Sequence, residues 1–326
     1  MRAFEGIRRF LRGGGPPRAL LAAGALAAGG IWTLGVGAQA GRAPAPERSA
    51  SGFFAPPPTA CARGPASTSD IEQAPGGYPR FPFVGAGDFH EFYFTRAMYS
   101  DGSRGGFGRG RRGGQLGDRG PAWSIDYASA DRHMMLVTQR LSNIDACLWE
   151  HPVSLADPEL RRFPFVYSLE WGNAQLTAKE IEGLRGYLLA GGFLMIDDFW
   201  GSYQWENFAA EIRQVLPGRA IVEVPRDNLL FHIHYTIDGD ILQVPNIGRG
   251  QEIARGYTDA PTWEQDGYVP HVRGIFDDDG RLMVVINWNT DLGDALEHAE
   301  NPYYPLKFST FASEMFLNMI MYSMSH

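Results

Sequence analysis

Three motifs that would identify a nucleotide-binding or hydrolytic enzyme are absent from this sequence. It contains no Gly-x-Ser-x-Gly nucleophile elbow, no P-loop and no Gly-x-Gly-x-x-Gly dinucleotide fingerprint. The pair Gly191-Gly192 precedes an apolar run typical of a strand, whereas a phosphate-binding turn follows its strand. No internal repeat is present. Any activity therefore has to be argued from individual side chains.

Lysine is nearly absent, and the charge is unevenly distributed. Only Lys179 and Lys307 are lysines among 29 basic residues. The formal net charge is −8, but residues 1–48 hold seven arginines against two glutamates, which leaves −13 on residues 49–326. Because nucleic-acid binding depends mainly on neutralising phosphates, this acidic body argues against it. A hydrophobic fraction of 44% indicates a globular protein with a substantial core.

Residues 1–40 have the pattern of an export signal. Five arginines accompany an uncharged, glycine-diluted apolar run at 19–36, which closes on Ala38-Gln39-Ala40, a small-x-small signal-peptidase pattern. A run of this length can also just span a bilayer, so retention as a membrane anchor is the alternative. Both alternatives predict a periplasmic or otherwise extracytoplasmic protein, secreted or tethered to the inner membrane, that meets the membrane only through this segment.

Two stretches interrupt the globular pattern. Residues 41–88 are rich in Pro, Gly and Ala, which predicts a disordered, flexible or extended linker. Residues 102–120 are rich in Gly and Arg and resemble RNA-binding segments, but we favour a solvated loop inserted into an α/β domain at 89–326. Cys61 and Cys147 are the only cysteines, and the sequence leaves open whether an exported chain joins them.

Helix and strand patterns alternate through the domain. The predicted strands cover residues 91–96, 163–169, 193–196, 220–224 and a hairpin at 274–286. The predicted helices cover residues 129–142, 177–189, 205–216, 292–298 and a Met-rich segment at 308–324. This alternation predicts an α/β fold, with a parallel sheet that has helices on both faces and a β-hairpin addition.

The strongest candidate site is Asp197-Asp198-Phe199-Trp200-Gly201, directly after the predicted buried strand at 193–196. Ligands of open parallel sheets bind at the carboxyl ends of the strands. Two adjacent carboxylates there can bind a divalent metal, or their pKa values can separate so that one acts as acid and the other as base. In the alternative interpretation, one Asp caps the next helix and the other pairs with an arginine. Trp200 is a candidate ligand contact beside them.

Two other polar segments are candidate ligand-binding sites. Asn289 and Asp291 follow an apolar strand, and Asp291 either contacts a ligand or caps the helix predicted at 292–298. Asp126 and Asp131 flank the start of the helix predicted at 129–142. They either contact a ligand there, or the helix start is simply capped and charged by Ser129 and Asp131.

His232 and His234 are weak candidates for a metal site. On a strand, residues two apart point to the same face, a spacing that zinc can use. Because no third ligand is placed by spacing, we favour a hairpin face that simply accommodates two histidines. No metal and no cofactor are expected.

Several of these segments together resemble the domain-of-unknown-function family 4159. The segments that carry the resemblance are residues 92–96, Trp123 with Asp126 and Asp131, residues 163–165, residues 184–201, and Asn289 with residues 291–294. It covers roughly residues 90–325, and the run at 184–201 is specific. The resemblance implies a flavodoxin-like sheet of the class I glutamine amidotransferase type in exported or membrane-tethered bacterial proteins. It also implies an accessory role in an envelope assembly, with MoxR-type ATPases and von Willebrand factor A proteins as partners.

The resemblance does not bring an activity, and the sequence leaves open whether the domain is an enzyme. True amidotransferases place a nucleophilic cysteine on a strand-to-helix elbow, where a histidine activates it. Cys147 lacks neighbouring glycines that would permit that turn, so glutaminase chemistry is not expected. Two functions stay open: a ligand- or partner-binding accessory domain of the cell envelope, and a hydrolase that uses Asp197 and Asp198 on a polar or carbohydrate substrate.

Overall fold

The computed structural model describes residues 61, 63–80, 90–102, 116–257 and 259–326. The strands in these residues are β1 (Glu72–Gln73), β2 (Pro79–Arg80), β3 (Thr95–Met98), β4 (His151–Ser154), β5 (Phe165–Leu169), β6 (Phe193–Asp197), β7 (Val222–Glu223), β8 (His271–Phe276) and β9 (Leu282–Trp288). The helices are α1 (Ser129–Leu141), α2 (Ala178–Leu189), α3 (Gly201–Val215), α4 (Ile247–Ala254), α5 (Leu292–Glu297) and α6 (Leu306–Ser325).

Seven strands form one mixed sheet in the order β4-β3-β5-β6-β9-β8-β7. The pairs from β4 to β9 are parallel, whereas β8 pairs antiparallel with both β9 and β7. The predicted α/β fold with a hairpin addition is thus confirmed. Because β9 is parallel to β6, with Ile286 opposite Ile196, the residues after these two strands emerge at the same edge of the sheet.

Apolar layers cover both faces of the sheet. Met195 of β6 packs in a core cluster with α1, α5 and α6, whereas Leu194 and Ile196 pack in a second cluster with α2 and α3. This alternation follows from the two-residue period of a strand. Met315 and Met319 of α6 are buried, as expected for core filling. Removal of these apolar side chains from water is the main driving force for folding.

Local sequence signals place β6. The Thr177 hydroxyl accepts a hydrogen bond from the Glu180 amide, and the Glu180 carboxylate accepts one from the Thr177 amide, so the predicted capping box at the start of α2 is present. Gly191, with φ of 114°, ends the turn after α2, and β6 follows at once. The predicted strand at 193–196 is extended by only one residue, Asp197.

Other predicted elements differ in their bounds. The predicted strand at 91–96 corresponds to β3, which begins at Thr95, with Phe92 forming only an isolated bridge to Ala146. β7 has two residues rather than the five predicted at 220–224. α3 begins at Gly201 instead of residue 205, and its N-cap, Trp200, makes no side-chain cap. These differences lie at element ends, which are the least regular parts of a pattern.

The N-terminal predictions fall mostly outside the described residues. The export segment at 1–40 and residues 103–115 of the Gly/Arg-rich loop are not described. Part of the predicted linker is described, and it is attached to the domain rather than free: Cys61 forms a disulfide with Cys147, and Arg80 pairs with Asp157 at 2.9 Å. A membrane-spanning helix is not found among the described residues.

Candidate functional site

Polar residues follow three adjacent parallel strands at one edge of the sheet, each in a left-handed backbone conformation. Glu170 after β5 has φ of 55°, Asp198 after β6 has 47°, and Asn289 after β9 has 62°. For residues other than glycine this conformation costs of order 1 kcal/mol or more. Such residues concentrate at functional sites, so this edge is where a ligand site is expected.

Asp197 lies at the centre of this edge and is completely buried. Its Oδ2 accepts hydrogen bonds from the Gly293 amide at 2.9 Å and from the Tyr167 hydroxyl at 3.3 Å. Its Oδ1 is buried and accepts no hydrogen bond from the described residues. Burial raises the pKa of Asp197 to about 7, against the partly offsetting hydrogen bond from Gly293. At neutral pH this carboxyl group can therefore either donate or accept a proton.

Asp126 approaches the same point from the segment before α1. It is 3% exposed, and its Oδ2 accepts no hydrogen bond from the described residues. A Cβ added to Gly293 would lie 2.3 Å from this oxygen and 2.7 Å from the Tyr167 hydroxyl. Burial, and then repulsion from Asp294, raise the pKa of Asp126 well above its ordinary value. We call Asp126, Tyr167, Asp197 and Gly293 the Gly293 cluster.

Asp198 has different surroundings from Asp197. Its Oδ1 accepts a hydrogen bond from the Trp200 indole at 2.9 Å. Burial, and then the charge of Glu170, raise the pKa of Asp198 well above its ordinary value, while burial raises the pKa of Glu170 to about 7. Among the described residues, neither Asp197 nor Asp198 caps α3 or forms an ion pair with an arginine. The alternative, in which one Asp caps the next helix and the other pairs with an arginine, is therefore not what the structure shows.

Asn289 and Gln243 hold residues 263–269 against the strand ends. The Asn289 side chain accepts from the Gly201 amide at 2.9 Å and donates to the Val269 carbonyl at 2.7 Å. The Gln243 amide donates to the carbonyls of Gly267 at 2.8 Å and Asn289 at 3.0 Å. A cavity of about 370 Å³ lies beside this segment, lined by Asn246, Arg249, Pro261, Trp263, Glu264 and Gln265. Asn289 is thus a positioning residue at this edge.

Two of the predicted site residues have structural partners. Asp131 lies in the first turn of α1, as its predicted charge role requires, but it is fully buried in an ion pair with Arg96 of β3 at 2.6 Å, so the prediction of a side-chain cap by Ser129 or Asp131 is wrong. The N-cap of α1 is Ala128, without a side-chain hydrogen bond. Asp291 is the N-cap of α5, accepting a hydrogen bond from the Asp294 amide at 2.8 Å.

His232 and His234 do not meet at a common point. They follow a short 3₁₀ helix, Leu229–Phe231, rather than lying on a strand, so the argument from strand spacing does not apply. Nε2 of His232 bonds with the Arg226 carbonyl at 2.8 Å, and Nε2 of His234 bonds with the Leu141 carbonyl at 3.1 Å.

Several polar residues at this edge were not predicted from the sequence. Tyr167 lies in the middle of the apolar strand β5 and Glu170 directly follows it, so neither belongs to a polar motif that the sequence would show. Asp294, Glu297 and His298 had a readable signal, since the spacing i, i+3, i+4 places them on one face of the helix predicted at 292–298. They form one group of potential metal ligands, and Asp118, Asp126 and Glu297 form another.

Comparison with known proteins gives a family without an activity. No curated protein matches the chain. The family model described as "Domain of unknown function (DUF4159)" matches residues 113–324, which include the Gly293 cluster. This match spans well over half of the chain and confirms the resemblance seen in the sequence. The chain belongs to the DUF4159 family.

Proposed function

We propose that this domain binds a hydroxyl-rich ligand, of the carbohydrate class, at the carboxyl edge of its sheet. The observation that carries the proposal is that Asp126 Oδ2 and Asp197 Oδ1 are both buried and accept no hydrogen bond from the described residues. An unsatisfied buried polar group costs about 1–3 kcal/mol. A ligand that donates hydrogen bonds to these two oxygens would recover that free energy.

The charge of this edge supports a neutral donor ligand rather than an anion. Asp198 and Asp291 add to the carboxyl groups of the cluster, and repulsion among these acids contributes to their raised pKa values after burial. Arg96, the buried base next to Tyr167, is already bound to Asp131. These acids would repel a phosphate or carboxylate ligand when ionised, whereas hydroxyl groups donate hydrogen bonds to carboxylates.

Exposed aromatic rings near this edge support the carbohydrate class. Trp263 and Tyr268 are 39% and 63% exposed, and their rings make an edge-to-face contact with centroids 5.5 Å apart. Both belong to the 263–269 segment, which Asn289 holds against the strand ends. Aromatic side chains combine an apolar face with a polar tip, which suits the apolar faces of sugar rings.

A hydrolase that uses Asp197 and Asp198 on a substrate of the same class is the second candidate. The observation that favours it is the pKa of Asp197, which burial raises to about 7, within the range of a general acid at neutral pH. Asp198 would supply the second carboxyl group. Because the side chains of Asp197 and Asp198 have different partners, separate roles as acid and base are consistent with their surroundings.

We also propose that the protein works outside the cytoplasm as an accessory protein of the cell envelope. The signal-like pattern of residues 1–40 supports export, with cleavage or retention as an anchor as its two forms. The disulfide between Cys61 and Cys147 supports it independently, since disulfides persist mainly in oxidising compartments. The family resemblance suggests MoxR-type ATPases and von Willebrand factor A proteins as partners.

Calorimetric titration with cellobiose, maltose and chitobiose tests the ligand proposal. At least one disaccharide should bind, and Asp197→Asn and Asp126→Asn should each weaken that binding at least tenfold, about 1.4 kcal/mol. Asp279→Asn, an exposed acid in the β8–β9 turn, is the matched control and should leave it unchanged. Absence of binding, or equal binding by Asp197→Asn, would contradict the proposal. Release of new reducing ends would favour the hydrolase.

A further inference from the structure

We propose that α5 and the segment before α1 form a binding site for a divalent transition-metal ion, centred on Glu297. Two groups of potential ligands meet at this residue: Asp294, Glu297 and His298, and Asp118, Asp126 and Glu297. Within each group, one ligand atom per residue lies within 4.8 Å of the others. The site does not depend on carbohydrate binding, although Asp126 also belongs to the Gly293 cluster.

The spacing within the first group is close to that of a coordination sphere. Nε2 of His298 lies 3.4 Å from Asp294 Oδ1 and 3.5 Å from Glu297 Oε2. Ligand atoms bound at about 2.0–2.2 Å from one ion lie roughly 3–3.5 Å from one another. Small side-chain movements would therefore bring these three atoms onto a shared ion. The short helix α5 fixes their spacing, since Asp294 is also tied to the Ile247 amide at 2.6 Å.

Asp126 supplies the second, independent observation. Only 3% of its surface is exposed, and its Oδ2 accepts no hydrogen bond from the described residues. A buried carboxyl group ionises only where a counter-charge or hydrogen-bond donors stabilise the charged form. In the described part of the chain, Asp294 and Glu297 face the imidazole of His298, whereas no lysine or arginine forms an ion pair with Asp118, Asp126, Asp294 or Glu297. A divalent cation would supply the partner that Asp126 Oδ2 lacks among the described residues.

The ligand set selects the class of metal. Across the two groups that share Glu297, four carboxyl groups and one imidazole make the donors rich in oxygen with a single nitrogen. Calcium and magnesium sites are built from oxygen donors alone, whereas an imidazole in the set favours a transition metal. Mn²⁺ is the transition-metal ion that suits carboxylate ligands, which are the majority here, and its paramagnetism makes it a practical probe of this site.

The test is a titration of the full chain with MnCl₂, followed by electron paramagnetic resonance of free Mn²⁺ and by calorimetry. The wild-type chain should bind Mn²⁺, and Glu297→Gln should weaken binding at least tenfold because both ligand groups share this residue. Asp294→Asn should weaken it less. Glu300→Gln, an exposed acid just after α5, is the matched control and should bind like the wild type.

Two further measurements keep the outcome clear if a variant folds poorly. Bound Mn²⁺ should broaden the ring resonances of His298 selectively, and it should raise the unfolding temperature of the wild-type chain but not of Glu297→Gln. No Mn²⁺ binding at millimolar concentration, or binding that leaves the His298 resonances sharp, would overturn the proposal. Asp197→Asn should still bind Mn²⁺, so failure of carbohydrate binding and failure of this site are distinguishable.

Discussion

Asp126 and Asp131 lie on either side of the start of α1, and the fold treats these two buried acids in opposite ways. Asp131 is fully buried in an ion pair with Arg96, with two hydrogen bonds at 3.0 Å and 2.6 Å. Asp126 is nearly as buried, yet its Oδ2 accepts no hydrogen bond from the described residues. The fold therefore satisfies one acid internally, and it leaves Asp126 Oδ2 and Asp197 Oδ1 without a hydrogen bond from the described residues.

The ion pair of Arg96 with Asp131 also positions the segment that carries Asp126. Nη1 of Arg96 donates to the carbonyls of Trp123 at 3.2 Å and Ile125 at 2.7 Å, directly before Asp126. The guanidinium also lies 5.0 Å from the Tyr167 ring centroid. Although burial acts to lower the pKa of Arg96, the Asp131 carboxylate outweighs it and the pKa is raised. Arg96 thus stays charged and anchors the segment that carries Asp126.

Removing the cation from the satisfied region should have the largest effect. Arg96→Met leaves Asp131 as a buried charge without its partner, which typically costs about 3–5 kcal/mol. Urea denaturation at pH 7 measures this loss. The double variant Arg96→Met, Asp131→Leu should recover part of it, because no unpaired charge remains. A loss below about 1 kcal/mol for Arg96→Met would show that the ion pair with Asp131 does not stabilise the fold at the start of α1.

Removing the carboxyl group of Asp197 should have the opposite effect and increase the free energy of unfolding at neutral and alkaline pH. Burial raises the pKa of Asp197 from 3.8 to about 7, so the folded state retains its proton between pH 4 and 7 while the unfolded state loses it. This acid therefore lowers the stability of the wild-type chain as pH rises through that window, by up to about 1.4 kcal/mol per pH unit. Above pH 7 its contribution is constant.

Asp197→Asn should abolish that pH dependence. We expect the variant to be more stable than the wild type at pH 8, by on the order of 2–4 kcal/mol, and equal to it near pH 3.5. The measurement is the free energy of unfolding in urea across this pH range. A difference between the two proteins that does not change with pH would contradict the raised pKa.

Adding a methyl group at Gly293 should have the smallest effect on stability. The new methyl group of Gly293→Ala would lie 2.3 Å from Asp126 Oδ2 and 2.7 Å from the Tyr167 hydroxyl. Overpacking of this kind typically costs about 1–3 kcal/mol. Gly239→Ala is the matched control, because no atom of the described residues lies within 4 Å of its added Cβ. Equal unfolding temperatures for the two variants would mean that the Gly293 cluster is not closely packed.

The parts of the fold that were predictable depend on local signals. The Thr177–Glu180 capping box and the glycine at residue 191 fix α2 and hence the start of β6. The position of Asp197 and Asp198 at a strand end follows from the same pattern. The prediction for Asp291 stayed open because a polar residue after a strand and before a helix has the same local sequence whether it caps the helix or binds a ligand.

The contacts that make the candidate site were not predictable. Asp126, Asp197 and Gly293 belong to three distant segments, and no spacing in the sequence relates them. The partner of Asp131 was missed because Arg96 lies on β3, where the apolar pattern gives no sign of a buried charge. The two histidines were misjudged because the argument assumed a strand, whereas they follow a 3₁₀ helix.

The pKa of Asp197, measured directly, is the most decisive test of the account. Carboxyl ¹³C resonances of the chain labelled at aspartate, followed from pH 3 to 9 and assigned with Asp197→Asn, report it. We predict a pKa of about 7, because this carboxyl group is buried and its Oδ1 accepts no hydrogen bond from the described residues. A pKa below about 5 would contradict it, since that value requires a hydrated or charge-paired carboxylate.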